Sequence, residues 1–321
     1  MTLCIDTFSS HSWRETAEGH WTGVMGGRVW TLTQTDDTLW YHVYQRSDRQ
    51  GEARGRKRRA GVPLQVENKS KKRFKGALKK EEEPVAVTPV QEEEEMLRDY
   101  FQLNVDMGDL YNKWGAADPH FQHIAGNFTG VRMLRQDPTE CLFSIICTPN
   151  NKLSRVHGMV ERMCQALGDP LCKLDETSYH NFPSVSALAD NSVEARLKDL
   201  GFGYRARFIQ QSAAKILDTQ WFEGLRSIPY LQARDALRAL PGVGPKVANC
   251  VCLMSLDKTE AVPIDTHVWQ IAKRDYSDAP GNGQKSITEK LHRDLGDFFR
   301  NLWGSHAGWA QAVLFCAELQ R

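Results

Sequence analysis

The sequence predicts an α+β fold: a mostly α-helical body preceded by a small, partly truncated antiparallel β-sheet. Three observations predict it. Residues 21–45 alternate β-branched and aromatic residues around a polar turn. Residues from 92 onward carry helical apolar periodicity, with short connections rich in Pro and Gly. Between them runs a charged stretch with too little apolar surface to offset chain entropy. The expected organisation is a partial β-rich domain over 1–46, a disordered charged linker over 47–91 and helical domains over 92–321.

The strands come first. Trp21-Thr-Gly-Val24 is followed by Arg28-Val-Trp-Thr-Leu-Thr33, a turn at Asp36-Asp37, and Leu39-Trp-Tyr-His-Val-Tyr44. The linker holds two basic clusters, Arg56-Lys-Arg-Arg59 and Lys71-Lys-Arg-Phe-Lys75, followed by Glu81-Glu-Glu83. Glu92–Leu103 opens the helical part with acids, which suit the positive end of a helix dipole. Helices are then expected over 108–115, 118–126, 138–147, 151–168, 184–190, 192–200, 204–219, 220–226, 230–239, 246–256, 265–275, 286–302 and 307–319.

Composition narrows the function classes. The 321 residues carry a formal net charge of +1, which argues against a uniformly basic nucleic-acid coat but leaves room for a local basic groove. No apolar run approaches the ~20 residues needed to span a bilayer. The start, MTLCIDTFSS, lacks a basic region followed by a long apolar stretch, so no secretory signal is expected. The eight cysteines are scattered, and buried free thiols are the favoured reading. Cys250 and Cys252 face different directions on a helix and only Cys316 follows them, so no metal, iron–sulfur cluster or structural zinc is expected.

The segment Tyr230–Leu256 carries the chemistry. A helix ends near Leu240, Pro241-Gly-Val-Gly244 makes a tight turn, and Pro245 sits at a good first helical position. Gly242 and Gly244 permit close backbone approach, and the amides at a helix start suit phosphate oxygens. Alone, such a hairpin is an ordinary packing device. Lys246 changes that. A cation is disfavoured in the first turn of a helix, which favours the neutral, nucleophilic amine. Helical spacing sets Cys250 and Met254 on the same face, giving apolar walls suited to a flat ring. Asp265, in Val262-Pro-Ile-Asp-Thr-His-Val-Trp269, reads first as a helix N-cap. A carboxylate fixed in that way also suits electrostatic stabilisation of an electron-poor centre.

Leu240-Pro-Gly-Val-Gly-Pro-Lys-Val-Ala248, followed nineteen positions after the lysine by Asp265 in Pro263-Ile-Asp265, resembles the helix-hairpin-helix–Gly/Pro–Asp superfamily of base-excision glycosylases. Within it, the chain is similar to the eukaryotic 8-oxoguanine DNA glycosylases. Val29-Trp-Thr-Leu-Thr-Gln-Thr35, Leu134-Arg-Gln-Asp-Pro138, Leu200-Gly-Phe-Gly-Tyr-Arg-Ala-Arg207 and Gly308-Trp-Ala-Gln-Ala-Val-Leu-Phe315 extend the similarity from about Trp13 to Arg321. The resemblance implies the helix-hairpin-helix glycosylase fold and a role for each matching residue. Lys246 would be the nucleophile and Schiff-base former, with Asp265 as its catalytic carboxylate. Cys250 and Phe315 would sandwich the extruded base, Gln311 would bond its Watson–Crick edge, and Met254 and His267 would line the site. Asn150 and Tyr204 would fill the gap left in the duplex, and Arg155 and Arg205 would hold the orphaned cytosine. Read without the resemblance, Phe315 is core packing and Asn150 an N-cap for 151–168.

The implied reaction is excision of 8-oxoguanine opposite cytosine, with strand nicking by β-elimination at the abasic site. It calls for no cofactor. The expected partner is double-stranded DNA containing an oxidised purine, bound by a monomer with no membrane contact. The basic clusters point to the nucleus, with mitochondrial forms open to alternative starts. One departure stands out. Where the family has Gly-Gln-Ser-Phe-Arg-Trp, this chain has Phe8-Ser-Ser-His-Ser-Trp13, so Phe8 replaces a glycine that senses the oxidised base. Two alternatives therefore stand beside the first reading: a glycosylase for another damaged base, and a DNA-binding form with impaired lesion recognition.

Overall fold

The computed structural model describes residues 13–35, 38–44, 89–216, 218, 220–281 and 283–319. The linker and its basic clusters, the Asp36-Asp37 turn and Phe8 lie outside the described residues.

The chain opens with an antiparallel sheet of sequential order, β1 (Trp13–Ala17), β2 (His20–Met25), β3 (Arg28–Gln34) and β4 (Leu39–Tyr44). β2, β3 and β4 are the strands the alternation predicts. β1 was not expected, since WRETA is mostly polar and only Trp13 is buried. The period of two in β3 sends Trp30 and Leu32 to one face and Val29 to the other. Trp30 and Leu32 pack with Trp13 and Trp21 against Leu97, Tyr100 and Phe101 of the helix α1 (Pro89–Tyr100) and the residue after it. Val29 packs on the opposite side against Leu171 and Tyr179.

Leu171 and Tyr179 belong to a second hairpin, β5 (Pro170–Leu174) with β6 (Thr177–His180). No sequence pattern marks this hairpin. Its strands are short, and Asp175, at φ +50, turns the chain without a glycine in the left-handed position. Arg14 of β1 crosses to the helical body, bonding Glu161 at 2.9 Å and lying over the Tyr179 ring.

The remaining helices are α2 (Met107–Ala117), α3 (Pro119–Ala125), α4 (Pro138–Ile146), α5 (Leu153–Leu167), α6 (Val185–Ala189), α7 (Val193–Asp199), α8 (Arg205–Lys215), α9 (Trp221–Ser227), α10 (Tyr230–Arg238), α11 (Pro245–Ser255), α12 (Thr266–Asp275), α13 (Glu289–Trp303) and α14 (Ala307–Leu319). Their starts follow capping chemistry. Asp106, Asp118, Asp137, Ser184, Asp265 and Thr288 each accept a first-turn amide, and Pro119, Pro138 and Pro245 occupy first positions. α13 begins at Glu289 rather than 286 because Thr288 is the cap. The helical segment expected over 151–168 starts at Leu153, and its N-cap is Lys152, which makes no side-chain cap bond. Asn150 is therefore not a cap; its backbone is left-handed at φ +52, two residues upstream.

α11 and α14 are buried on nearly every side and form the middle of the body. Gly308 permits the closeness of α14. A Cβ there would lie 2.2 Å from the Ala261 carbonyl, and the Gly308 amide donates to the Thr259 carbonyl at 3.0 Å. Arg135 ties the sheet side to this middle, donating to Asp99 of α1 at 2.7 Å and to both oxygens of Asp257 at 2.7 and 2.8 Å, two residues beyond α11.

Candidate active site

α10 and α11 form the expected hairpin, and the turn between them is held from outside. The Pro241 carbonyl accepts from the Ser212 hydroxyl of α8 at 2.9 Å, and Val243 donates to the Leu240 carbonyl. Gly242 is required on two counts. Its φ is +79, and a Cβ would lie 2.7 Å from the Phe208 ring. Gly244 is the extended N-cap of α11 and faces open space. Gly242→Ala is expected to destabilise the fold by about 1–3 kcal/mol, because both the strained backbone and the ring contact must relax. Urea unfolding of the variant checks this; an unchanged midpoint would mean that the turn tolerates a Cβ.

Lys246 is the second residue of α11. Its Nζ lies 3.8 Å from Oδ2 of Asp265, with the two side chains 35% and 20% exposed, so both are half sheltered yet reachable. Asp265 divides its oxygens. Oδ1 accepts the Val268 amide at 3.0 Å as the N-cap of α12, which leaves Oδ2 facing the amine. The segment leading to Asp265 is locked in place by Asn249, which accepts from the Tyr230 hydroxyl at 2.9 Å and donates to the Val262 carbonyl at 3.2 Å. Asn249 and its two bonds were not singled out in the sequence. Its only signal is its place between Lys246 and Cys250 on α11.

Cys250, one turn along, is buried. Burial pushes its thiol up to about 11, with Lys246 pulling down and Asp265 pushing up, so both charges act on this sulfur. At neutral pH the wall beside the amine is therefore a neutral thiol. At pH 8 the thiolate population should be about 100-fold below that of an ordinary cysteine. Iodoacetamide labelling should be correspondingly slow and accelerate as pH rises toward 11; fast labelling at pH 8 would contradict this environment. Met254 is partly buried at the end of the same face, and its carbonyl accepts the Gln136 amide at 2.8 Å.

α14 carries the two remaining residues expected to bind the base. Gln311 is buried and Phe315, one turn on, is partly exposed. Phe315 meets the edge of His267, which stands in the first turn of α12, with ring centroids 6.1 Å apart. Asp265 and His267 thus connect the α11 face to the α14 face. A further imidazole, His292 of α13, feels the charges of Lys246 and Asp265, and burial holds it below the ordinary histidine range. No local pattern marks it, because α13 reaches the hairpin only through the tertiary fold.

Of the second expected group, Asn150, Arg205 and Tyr204 form a contiguous line. Arg205 is buried and donates through Nη2 to the carbonyls of Pro149 and Asn150, at 2.5 and 3.3 Å. Its guanidinium lies over the Tyr204 ring at 4.6 Å. Tyr204, 54% exposed, meets Phe208 edge-on at 5.8 Å, and Phe208 packs on Gly242. The Asn150 loop is thereby coupled to the hairpin turn. Arg155 is exposed in the first turn of α5. Arg205, expected to face a base, is turned inward on the loop carbonyls instead, and its Nε is buried without a hydrogen-bond partner.

Among the described residues, no group of three or more His, Cys, Asp or Glu could hold a metal ion, and no helix is long and apolar enough to cross a membrane.

The family model of the 8-oxoguanine DNA glycosylase N-terminal domain matches residues 1–142. The model of HhH-GPD superfamily base excision DNA repair proteins matches residues 143–295. N-glycosylase/DNA lyase OGG1 of Arabidopsis thaliana is 39% identical over 228 residues, covering 70% of this chain and 61% of that protein. The N-glycosylase/DNA lyase of Saccharomyces cerevisiae is 38% identical over 250 residues, covering 70% of this chain and 66% of that protein. The chain thus matches less than two thirds of the length of either relative. The 8-oxoguanine glycosylase/lyase of Clostridium acetobutylicum, solved with dsDNA containing cytosine opposite 8-oxoG, shares the fold. Its TM-score is 0.73 at 22% identity, covering 98% of this chain and 91% of that one. With two adjoining family models spanning residues 1–295, the chain belongs to the 8-oxoguanine DNA glycosylase family of the HhH-GPD base excision repair superfamily.

Proposed function

We propose that this protein excises 8-oxoguanine paired with cytosine in duplex DNA and then nicks the strand at the abasic site. The observation that carries the reading is the Lys246–Asp265 pair: an amine at the head of a helix, 3.8 Å from a carboxylate whose other oxygen is fixed by a cap.

A duplex hides the glycosidic carbon, so the nucleotide is first extruded, at a cost of a few kcal/mol. Its base enters between Cys250 and Phe315. Gln311 bonds the Watson–Crick edge, and Met254 and His267 close the slot. The buried Gln311 favours a base able to satisfy its amide, since an unmet buried polar group is costly. Lys246 Nζ attacks C1′ while the N-glycosidic bond breaks, and the base leaves with the bonding electrons and takes up a proton. The Asp265 carboxylate stabilises the positive charge that develops on the sugar. The opened sugar and Lys246 form an imine. The imine acidifies C2′, a proton leaves, and the electrons expel the 3′ phosphate. Water then hydrolyses the imine and releases the lysine.

Asn150 and Tyr204 fill the gap left in the stack. Arg155 and Arg205 hold the widowed cytosine, Arg205 by turning its guanidinium from the loop carbonyls toward the base. Gly242 and Gly244 offer backbone amides to phosphate, a contact that reads no sequence. The protein acts as a monomer, which sedimentation in the presence of duplex checks. The basic clusters at 56–59 and 71–75 support nuclear import; a fluorescent fusion lacking both should lose nuclear enrichment.

The deciding experiment is borohydride trapping on two duplexes, one with 8-oxoguanine opposite cytosine and one with an abasic site. A covalent adduct on both is expected. An adduct on the abasic duplex alone would favour a different damaged base or impaired lesion recognition. No adduct on either, with duplex binding kept, would leave a DNA-binding protein only.

A further inference from the structure

Behind the hairpin lies a cleft that the proposed chemistry does not use. α10, α13 and the head of α11 enclose it, and Pro245, the neighbour of both Gly244 and Lys246, is part of its wall. Arg234, Arg238, Arg293 and Arg300 converge there, against Glu289 as the single lining acid.

The four arginines are not equivalent. Arg234 and Arg300 lie over the Tyr230 ring, at 5.8 and 5.4 Å from its centroid, and are held as the back of the cleft. Arg300 is further fixed by Asp297 at 2.7 Å. Arg238 and Arg293 form the rim. Arg238 bonds Glu289 at 2.6 Å, but that carboxylate stands at the start of α13 with its side chain 63% exposed. An exposed pair of this kind contributes ~0–1 kcal/mol and exchanges readily for another anion. Arg293 is 59% exposed, and its ion pair is a 3.9 Å approach to the adjacent Asp294. His292 lines the same cleft and carries a buried Nδ1 without a hydrogen-bond partner. Guanidinium forks on a solvent-facing rim, backed by two fixed cations, suit a phosphate oxyanion.

We propose that Arg238 and Arg293, with His292 behind them, form a phosphate-binding site that extends the grip of the hairpin along the DNA backbone. The cleft begins one residue beyond Gly244, so a strand whose phosphate rests on the hairpin amides runs on toward this rim. Glu289 holds the site closed in free protein, and an incoming phosphate displaces it from Arg238. The proposal rests on the reading that the hairpin contacts DNA. It does not depend on Lys246 chemistry, so it is tested on undamaged duplex.

The experiment is fluorescence anisotropy with the full chain and an undamaged duplex between 50 and 200 mM KCl. Arg238→Gln and Arg293→Gln should each make the slope of log K against log salt shallower by about 0.9, the value of one lost phosphate contact. Glu289→Gln should tighten binding at 50 mM salt by freeing Arg238. Thermal unfolding checks that each variant is folded, and Arg293→Gln carries the test if Arg238→Gln loosens α10. An unchanged slope in folded Arg293→Gln and Arg238→Gln would overturn the site. So would a site for a small free anion: inorganic phosphate raising the unfolding midpoint of wild type but not of the variants, with the duplex slope unchanged. Absence of a borohydride-trapped adduct with the wild-type protein, with the slope changes intact, would instead count against the catalytic reading alone.

Discussion

Lys246→Gln is expected to abolish the borohydride-trapped adduct and to slow base excision by on the order of 10⁴-fold or more, the scale seen when a covalent nucleophile is removed. The substitution keeps a chain of similar length and a polar end. The position is 35% exposed, so the variant should fold and still bind duplex. Asp265→Asn separates the two duties of the carboxylate. Asparagine caps a helix about as well as aspartate, so the Val268 amide keeps its acceptor and α12 its start. The negative charge beside the amine is lost. Excision should then fall by about 10²–10³-fold, the cost of one electrostatic group facing a developing charge, while a slowly formed adduct still accumulates. Single-turnover excision and gel-resolved trapping measure both effects. If Lys246→Gln still trapped covalently, the nucleophile would lie elsewhere, and the Lys246–Asp265 contact would be a structural ion pair.

Asp118→Ala should lower stability by about 3–5 kcal/mol. Asp118 is buried, and its two oxygens accept four bonds. Oδ1 takes the amides of His120 and Phe121 as the N-cap of α3. Oδ2 takes the Tyr276 hydroxyl at 2.7 Å and the Trp303 indole at 3.1 Å. Alanine would remove the cap and leave two buried donors unmet. Burial and the Asp118 bond push the Tyr276 hydroxyl up, so that donor stays protonated and needs its acceptor. The consequence reaches the candidate active site. Tyr276 is the C-cap of α12, the helix that Asp265 caps at its other end. Asp118 therefore anchors the far end of the element that positions the Asp265 carboxylate. The unfolding midpoint of Asp118→Ala should drop by on the order of 10 °C. Asp118→Asn, which keeps the size and one carbonyl oxygen, should lose less. Equal midpoints for wild type and Asp118→Ala would mean that water substitutes for the carboxylate.

The sequence by itself determined the local parts of this protein. The period of two in Arg28–Gln34 and Pro245 at a helix start were readable because each acts within a few residues. The Gly-Val-Gly turn, Lys246 one turn before Cys250, and Asp265 at a helix start were likewise legible. The tertiary structure decided what depends on distant partners. β1 pairs only because β2 offers an edge, and β5–β6 forms where the sheet and α5 supply its cover. Asn150 looked like a cap but takes a left-handed backbone, with Arg205, 55 residues away, donating to its carbonyl. Nothing in the sequence turned Arg205 inward, linked Tyr204 through Phe208 to Gly242, or set His292 and two rim arginines behind the hairpin. Periodicity and capping are read along the chain. Which oxygen of Asp265 caps and which faces the amine is decided by packing between elements, and no local rule encodes it.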